Sequence, residues 1–399
     1  MNLLYLHQYY CPAGGWGNNR SADFAHTWAS LGHRVVVLTS TAYFPPQHPA
    51  HTVQLYRFEE NGVQVVAINV AYAQRMGLAR RAWSFARFYQ KLVHVGRSLP
   101  RPDLIYASST PPTVVAAGQK LARRWGVPYV FEAVDVWPEV PIGLGAIGNP
   151  IAIGLFHRWV NRLYGASAAV VALSPGMADL IRAQGVPPEK IWVVPNGTDT
   201  TVFTPPAERP AGKPIRLVHT GSLGRVNHLE ALLTAAQWLE QQPVPAWELH
   251  LVGEGSEKAR LQALAQDLKL TRVRFLPAVA KSAMPQLLRQ AHIGVMTVAP
   301  YPVLEHNSAN KWYDYLATGL PIVQNYGGWQ AKVLQATQTG LWSPLGDTAS
   351  FQENLCRLVS DADLRQQLGT NGPALARQHY DRTTLATEVA TRLHGLIQR

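Results

Sequence analysis

The sequence predicts an α/β protein made of two Rossmann-like domains, and three observations support this. Short apolar runs alternate with helical patterns along most of the 399 residues, which is typical of parallel sheets covered by helices. The alternation stops at a proline-rich stretch over residues 204–214 and then starts again. The length also suits two domains, at roughly 100–200 residues each.

The first alternation predicts an N-terminal domain over residues 1–203. Its strands are expected at Leu3–His7, Arg34–Leu38, Val63–Ile68, Asp103–Ala107, Tyr129–Glu132, Ala169–Leu173 and Ile191–Val194. Its helices are expected at Asn19–Leu31, Ala79–Arg97, Pro112–Arg124 and Gly176–Ala183. Residues 204–214 lack periodicity and contain four prolines, so they are expected to form a stiff linker.

The second alternation predicts a C-terminal domain over residues 215–379. Its strands are expected at Ile215–His219, Glu248–Val252, Val273–Phe275, Ile293–Thr297 and Ile322–Gln324. Its helices are expected at Leu229–Leu239, Glu257–Leu268, Met284–Arg289 and Asn310–Ala317. Two such halves facing a central cleft place a ligand at the carboxyl ends of their strands.

Composition excludes several classes of protein. The two cysteines match no disulfide or metal spacing, which fits a reducing compartment. No apolar run reaches the ~20 residues that cross a bilayer, because glycine, asparagine and proline interrupt Ile142–Phe156. The N-terminus shows no secretion signal. These features predict a cytoplasmic protein, and the net charge of +11 predicts acidic partners.

A glycine-rich loop over residues 10–20 follows the first predicted strand. Gly14 and Gly15 allow a close approach of the backbone to a ligand. The helix expected from Asn19 would direct free amides at the same place, which favours an anion. The loop lacks the GxGxxG pattern, so a nicotinamide site is not indicated.

Three carboxylates follow another predicted strand, at Glu132, Asp135 and Glu139, with Trp137 between them. Carboxylates at the edge of a sheet can orient sugar hydroxyls or accept a proton from one. We therefore expect Glu132 and Asp135 to be catalytic. The alternative is a helix cap with exposed acidic side chains.

The first loop of the second domain also suggests a phosphate site. Gly221 permits a close backbone approach, and Arg225 can pair with a diphosphate.

The segment over residues 305–321 carries the most information. Ser308 or Asn310 is expected to cap a helix over Asn310–Ala317. Free amides near Asn310, the positive end of the helix and the ammonium of Lys311 then converge, which suits a leaving diphosphate. Asp314 lies about one turn later, where its carboxylate can accept hydrogen bonds from a ribose.

In this order, these segments resemble GT-B glycosyltransferases of family four. The likeness is greatest to the bacterial polysaccharide branch that includes L-fucosamine (N-acetyl-fucosaminyl) transferases. It covers nearly the whole chain. The phrases that carry it are GHRVVVLT from Gly32, SSTPP from Ser108, FEAVDVWPE from Phe131, VPNGTD from Val194, LVGEG from Leu251 and NKWYDYLATGLP from Asn310.

The resemblance implies a retaining transfer from a nucleotide-sugar, as substrate, to an acceptor hydroxyl, with no metal and no cofactor. The donor is expected to be UDP-linked, and an N-acetylated sugar is one alternative for the group transferred. This donor would lie on the C-terminal domain. The acceptor would be a glycan or a polyprenyl-diphosphate-linked glycan on the N-terminal domain, to which a helix over about 380–399 returns.

At the site, the resemblance gives Asp314 the place of a ribose-binding acid. Glu305 or His306 takes the place of a first acid. The basic pair usual in the first C-terminal loop is not matched, so Lys311 is expected to bear more of the phosphate charge.

The predicted helix Ala79–Arg97 suggests contact with an anionic membrane. Its apolar positions include Phe85, Phe88 and Leu92, and basic residues line another face, as in helices that lie on anionic lipid. Packing of the apolar face on the sheet is the alternative. We therefore expect a peripheral protein on the inner face of the cell membrane.

Two other functions remain open. A GT-B nucleotide-sugar epimerase would share the architecture but need no acceptor. A nucleic-acid-binding Rossmann protein would fit the basic composition but would need basic and aromatic residues interleaved along a groove. The sequence shows no such groove pattern, so no nucleic-acid partner is expected.

Overall fold

A computed structural model describes residues 1–13, 15, 20–72, 76–209 and 214–398. The chain divides into two compact units, Met1–Pro195 with Arg382–Arg399, and Asn196–Asp381. Each unit contains a Rossmann-like sheet with helices against it, which confirms the predicted fold class. The acceptor and donor roles of the two domains stay predictions.

The first unit contains an eight-stranded sheet in the order β3-β4-β2-β1-β5-β6-β7-β8. The strands are β1 (Asn2–Leu6), β2 (Arg34–Ser40), β3 (Leu55–Glu60), β4 (Val63–Ile68), β5 (Leu104–Ser108), β6 (Tyr129–Ala133), β7 (Ala169–Ala172) and β8 (Ile191–Val193). All pairings are parallel except that of β3 with β4. The strand β3 was not predicted from the sequence.

Helices cover both faces of this sheet. They are α1 (Arg20–Ser30), α2 (Leu78–Gly96), α3 (Thr113–Trp125), α4 (Glu139–Gly143), α5 (Pro150–Ala166) and α6 (Pro175–Ala183). One apolar cluster packs α2, α3, α5 and α6 on one face. A second cluster packs α1 on the other face. The inner strands are therefore buried on both sides, as their continuous apolar runs require, whereas the edge strands β3 and β8 are partly exposed.

Helix α2 packs its apolar face into the core. Phe88 and Leu92 are fully buried in the first cluster, and Phe85 stacks on Tyr72 with ring centroids 5.9 Å apart. The prediction that this face lies on a membrane is therefore wrong, because the sheet and α3 already cover it. Trp83, on the opposite side of α2, is 69% exposed.

The second unit contains a six-stranded, fully parallel sheet in the order β11-β10-β9-β12-β13-β14. Its strands are β9 (Ile215–Thr220), β10 (Trp247–Val252), β11 (Val273–Leu276), β12 (Ile293–Met296), β13 (Ile322–Gln324) and β14 (Gly340–Trp342). Its helices are α7 (Leu229–Glu240), α8 (Lys258–Asp267), α9 (Met284–Arg289), α10 (Asn310–Ala317), α11 (Gly328–Thr337), α12 (Thr348–Ser360) and α13 (Ala362–His379). The strand order places β9 at the centre, beside β12.

The last helix, α14 (Arg382–Ile397), belongs to the first unit. Its Val389 and Leu393 are fully buried in the same cluster as Trp28. The indole nitrogen of Trp28 donates a hydrogen bond to the carbonyl of Ala386, at 2.8 Å. Within the described residues, no helix is long and apolar enough to cross a membrane.

Candidate functional site

The N-terminus of α10 carries no side-chain cap. Ala309 occupies the N-cap position, so the predicted capping by Ser308 or Asn310 is wrong. The hydroxyl of Ser308 is hydrogen-bonded to that of Tyr313 instead, at 2.6 Å. The side-chain oxygen of Asn310 is buried and has no hydrogen-bond partner among the described residues. Because the first amides of a helix have no acceptor within it, this end of α10 suits an anion.

Tight packing fixes the position of α10 beside the end of β9. The backbone amide of Thr220 donates a hydrogen bond to the hydroxyl of Tyr315, at 2.9 Å. Gly294 lets β12 approach the helix, since a Cβ there would lie 2.5 Å from the ring of Tyr315. Trp312 is fully buried against Trp329, with ring centroids 5.4 Å apart. The start of the helix is therefore held on a rigid support.

Lys311 is half-buried and directs its ammonium to this point. Its Nζ donates to Nε2 of His219 at 3.2 Å and to the side-chain oxygen of Asn227 at 3.4 Å. Burial lowers the pKa of Lys311 to about 8. No described carboxylate contributes to this shift, so the charge is not compensated within the described residues. A partly buried cation of this kind is stabilised by an anionic ligand.

His219 presents a lone pair to Lys311. Its Nδ1 lies 3.2 Å from the carbonyl of Val295, so Nδ1 carries the proton and Nε2 accepts from the ammonium. Burial, and next the charge of Lys311, hold the pKa of His219 well below its usual value, so the ring is neutral. His219 was not predicted; its place at the end of a strand, two residues before Gly221, was the available signal.

The loop after β9 brings Asn227 to Lys311. The amide nitrogen of the Asn227 side chain donates to the carbonyl of Ser222 at 2.6 Å, which orients its oxygen toward the ammonium. Gly221 has φ +115, and a Cβ there would lie 3.7 Å from the Nζ of Lys311. The structure therefore places Gly221 and Asn227 beside Lys311, and the contact of Gly221 with a diphosphate stays a prediction.

Arg225 lies elsewhere on the same loop. Its side chain is 89% exposed and forms an ion pair with Glu257, at 3.2 Å. No contact with Lys311 is formed. The predicted role of Arg225 at the diphosphate would require it to leave Glu257, so Lys311 is the better placed cation.

Asp314 is buried and both of its carboxylate oxygens already accept hydrogen bonds, so its contact with a ribose stays a prediction. One carboxylate oxygen accepts from Lys281 at 2.6 Å, and the other accepts from the hydroxyl of Thr198 at 2.6 Å. The Asp314 side chain is only 6% exposed. The spacing correctly placed Asp314 one turn beyond Lys311, but the side chain points into the domain, where it anchors Lys281.

Glu305 fits the predicted first-acid position better than its neighbour. One carboxylate oxygen accepts from the backbone amide of Gly327, at 2.8 Å. Gly328, with φ +76, lets the chain pack closely, since a Cβ there would lie 2.4 Å from the carbonyl of Glu305. The second carboxylate oxygen of Glu305 has no hydrogen-bond partner among the described residues. It is thus open to a ligand hydroxyl. For His306, the first-acid role stays a prediction.

In the first unit, Glu132 is buried rather than exposed at the edge of the sheet. Its carboxylate forms an ion pair with Arg20 at 2.9 Å and accepts from the hydroxyl of Tyr106 at 2.8 Å. Ser108 and Tyr5 donate to the other oxygen. Burial alone would raise the pKa of Glu132, but Arg20 and these donors hold it below its usual value. These contacts indicate a structural role for Glu132, and its catalytic role stays a prediction.

Asp135 remains suited to chemistry. One carboxylate oxygen accepts from the hydroxyl of Thr110, at 3.0 Å. Desolvation raises the pKa of Asp135, and no cation among the described residues compensates its charge. A carboxylate of this kind is a stronger base than an exposed one. Trp137, two residues on, packs on Phe156 with ring centroids 5.8 Å apart.

The glycine-rich loop gives less support to the predicted phosphate contacts. Gly14 and Asn19 lie outside the described residues. The amide of Gly15 donates to the carbonyl of Pro12 at 2.9 Å, and a Cβ there would lie 2.6 Å from the sulfur of Cys11. Gly15 is therefore a close-packing glycine, and its amide is not free for a phosphate.

The arrangement in the second unit can bind and stabilise negative charge. A helix end, the ammonium of the half-buried Lys311 and a neutral histidine that orients it converge on one place. Within the described ranges, no three His, Cys, Asp or Glu side chains form a group that could hold a metal ion.

Comparisons with known proteins agree across both units. Residues 17–197 match the family model described as a glycosyl transferase 4-like domain, and residues 214–361 match glycosyl transferases group 1. A GDP-mannose-dependent alpha-mannosyltransferase of Mycobacterium tuberculosis is 26% identical over 62% of this chain and 61% of that enzyme. The chain thus covers less than two thirds of that relative's length.

Two further proteins extend the comparison. The Escherichia coli protein WcaI, described as a putative colanic acid biosynthesis glycosyl transferase, is 24% identical over 65% of this chain and 68% of its own length. A crystal structure of Anabaena HepE with UDP and glucose has a TM-score of 0.72 and 18% identity. It covers 99% of this chain and 100% of HepE. At this identity the likeness shows a shared fold.

Proposed function

Because the chain belongs to the GT4 family of GT-B glycosyltransferases, we propose that it transfers a sugar from a nucleotide-sugar to an acceptor hydroxyl. The proposed reaction is retaining and metal-independent, as the resemblance implies. The diphosphate of the donor is bound at the start of α10, with its negative charge against Lys311.

The half-buried Lys311, whose charge no described carboxylate compensates, is the observation that carries this proposal. As the glycosidic bond breaks, negative charge grows on the leaving diphosphate, and an ammonium already fixed beside it stabilises that charge in the transition state. The unpaired amides at the start of α10 add the positive end of a helix. The open oxygen of Glu305 is proposed to accept a hydrogen bond from a donor hydroxyl.

On the acceptor side, we propose Asp135 as the residue that contacts the attacking hydroxyl. It is a half-buried carboxylate with a raised pKa and one oxygen free of the Thr110 hydrogen bond. Hydrogen bonding to that oxygen would orient the hydroxyl for attack.

The proposed donor is UDP-linked and the proposed acceptor is a glycan or a polyprenyl-diphosphate-linked glycan. HepE was crystallised with UDP, which supports UDP, whereas the mannosyltransferase named above uses GDP-mannose. The name of WcaI supports a role in cell-surface polysaccharide synthesis. A lipid-linked acceptor would place the protein on the inner face of the cell membrane, and a fucosamine donor remains one proposal among these.

A thermal-shift screen with UDP, GDP, ADP and their sugars tests the proposed function. A nucleotide present at about 100 times its Kd should stabilise the protein by about 2.7 kcal/mol. Sugar should then be transferred only when an acceptor is added. Stabilisation by none of the nucleotides would contradict the proposal, and conversion of the donor sugar without an acceptor would favour an epimerase instead.

Donor affinity should depend on pH through Lys311. The pKa of Lys311 in the free protein is about 8, and a bound anion favours the charged form and so raises it. Binding therefore takes up a proton when the pH exceeds 8, and affinity falls as the pH rises above that value. The Kd for UDP-glucose, measured by calorimetry between about pH 6.5 and about pH 9.5, should rise about tenfold per unit above pH 8.

The control for this measurement is Lys311→Ala, whose weaker binding should not change over the same range. UDP-glucose is suitable because its diphosphate is doubly esterified and keeps a constant charge. An unchanged Kd in the wild type up to the highest pH would show that Lys311 does not face the diphosphate.

His219 should be needed to orient Lys311. In His219→Leu the ammonium loses one of its two hydrogen-bond acceptors, and a hydrogen bond to a charged group contributes about 1.5–3 kcal/mol. We expect the KM for the donor to rise at least about tenfold, with partial recovery in His219→Gln, whose amide oxygen can accept. The matched control is His250→Leu, a half-buried histidine bonded to Glu248 on β10; an equal effect there would contradict the assignment.

A further inference from the structure

The outer face of α5 carries an unusual set of exposed side chains. Ile151 is 74% exposed and Leu155 is 64% exposed. Among the large apolar side chains that the structure describes, they are two of three that are more than half exposed. They lie four residues apart, so they share one face of the helix. This pair is not explained by the core or by the proposed active site.

The opposite face of α5 is already used by the core. Val160 and Leu163 are buried in the first apolar cluster, and Phe156 and Trp159 stack with ring centroids 5.6 Å apart. This face of α5 therefore packs on the core of the first unit. Ile151 and Leu155 remain on the surface because the helix has a second apolar side.

Charge along the same face points to an anionic partner. Arg158 and Arg162 follow Leu155 at spacings of three and seven residues, and both are exposed. Neither forms an ion pair with a described carboxylate. There is no acidic residue between Glu139 and Asp179, and no Asp, Glu, Lys or Arg from 140 to 156.

The start of α5 is suited to a position within the headgroups of a bilayer. Asn149 caps it, with its side-chain oxygen accepting from the amides of Ile151 and Ala152 at 2.9 and 3.1 Å. These polar groups are therefore satisfied without water. The arginines lie about 10–16 Å further along the helix, so a helix tilted with its first turn toward the bilayer inserts the apolar side chains more deeply than the arginines.

We propose that α5 docks on the surface of an anionic membrane, with Ile151 and Leu155 inserted and Arg158 and Arg162 on the lipid phosphates. Docking on a membrane would bring the enzyme to the lipid-linked acceptor of the proposed function. Only this biological purpose rests on the proposed function. A second copy of the chain fits less well, because a twofold contact would set these arginines near one another. Two apolar side chains are also far from the roughly 800 Å² per partner of a stable interface.

Co-sedimentation of the full-length protein with vesicles tests the proposal. Phosphatidylcholine vesicles containing phosphatidylglycerol should bind the wild type at least about fivefold more strongly than pure phosphatidylcholine, and added salt should weaken this. The double variant Ile151→Ser with Leu155→Ser should bind both kinds of vesicle at least about tenfold less. Arg158→Gln with Arg162→Gln should lose about tenfold on the anionic vesicles alone.

The matched control removes the exposed group on α2, by Trp83→Ser with Arg80→Gln and Arg87→Gln, and it should bind like the wild type. Each variant should keep the thermal unfolding midpoint of the wild type, because the changed side chains are exposed. Wild-type protein that stays in the supernatant would overturn the proposal. Loss of vesicle binding in the α2 variant alone would also overturn the proposal. So would a dimer of the wild type that the Ile151→Ser, Leu155→Ser variant dissociates.

Vesicle binding needs neither donor nor acceptor, so it is independent of the reaction. Lys311→Ala should bind anionic vesicles like the wild type. A protein that fails to bind vesicles would therefore not contradict the proposed transfer reaction. An inactive enzyme would likewise not contradict the proposed membrane-binding face of α5.

Discussion

Replacing Lys311 with alanine should reduce kcat about 10²–10³-fold, the loss expected when one strong charge-stabilising donor is removed from an active site. No other described cation contacts the same place: Arg225 is held by Glu257 and Lys281 is held by Asp314. The loss should appear in kcat and in kcat/KM, because the charge on the diphosphate is greatest in the transition state. Steady-state transfer assays with the donor found by the thermal-shift screen would measure it.

The control is Lys332→Ala, which removes an exposed lysine from α11 in the same unit and should leave turnover unchanged. Lys311→Met separates folding from chemistry. This substitution removes a partly buried, uncompensated charge. The unfolding temperature of the variant should therefore be at least that of the wild type, while its kcat should be as low as that of Lys311→Ala. Near-normal turnover in Lys311→Ala would mean that the helix amides alone stabilise the leaving group.

Replacing Glu132 with alanine should destabilise the protein by about 3–5 kcal/mol, as expected when one partner of a buried ion pair is lost. Arg20 would be left buried without its carboxylate, and the hydroxyls of Tyr106 and Ser108 would lose their acceptor. The guanidinium of Arg20 also donates to the carbonyls of Val194 and Pro195. The loss of Glu132 should therefore loosen the start of α1 and the segment at Val194 and Pro195. Urea denaturation would measure the fall in the free energy of unfolding.

A paired replacement shows whether the effect is structural. Arg20→Met combined with Glu132→Leu should be more stable than Glu132→Ala, because neither charge is then buried alone. If Glu132→Ala is too unstable to purify, Glu132→Gln serves as the single variant. A Glu132→Gln protein of normal stability that had lost turnover would support the catalytic role predicted from the sequence instead.

The fold was largely predictable because its signals are local. The helix Asn310–Ala317 was predicted with its observed bounds, since its apolar pattern stops at Gly319 before the next strand. The strand β3 was missed because it is an edge strand. Its side chains alternate between exposed and half-buried, and it contains Arg57, Glu59 and Glu60, which obscure the apolar pattern of a strand.

The site was only partly predictable because its contacts are distant in sequence. Lys311 was identified from the helix that it begins, but His219, its acceptor, lies 92 residues earlier. Likewise, Glu132 ends a strand, as predicted, but its partner Arg20 is 112 residues away. Spacing along the chain gives the strand end at which a carboxylate lies. It does not tell whether that carboxylate faces solvent or a buried guanidinium.

A crystal structure of the protein with a bound UDP-sugar, or with the nucleotide-sugar selected by the screen, would test the central claim most directly. We expect a phosphate oxygen within about 3 Å of the Nζ of Lys311, with further oxygens facing the amides at the start of α10. Lys311 should keep its contact with His219. A diphosphate bound away from α10, with Lys311 still directed only at His219 and Asn227, would contradict the account.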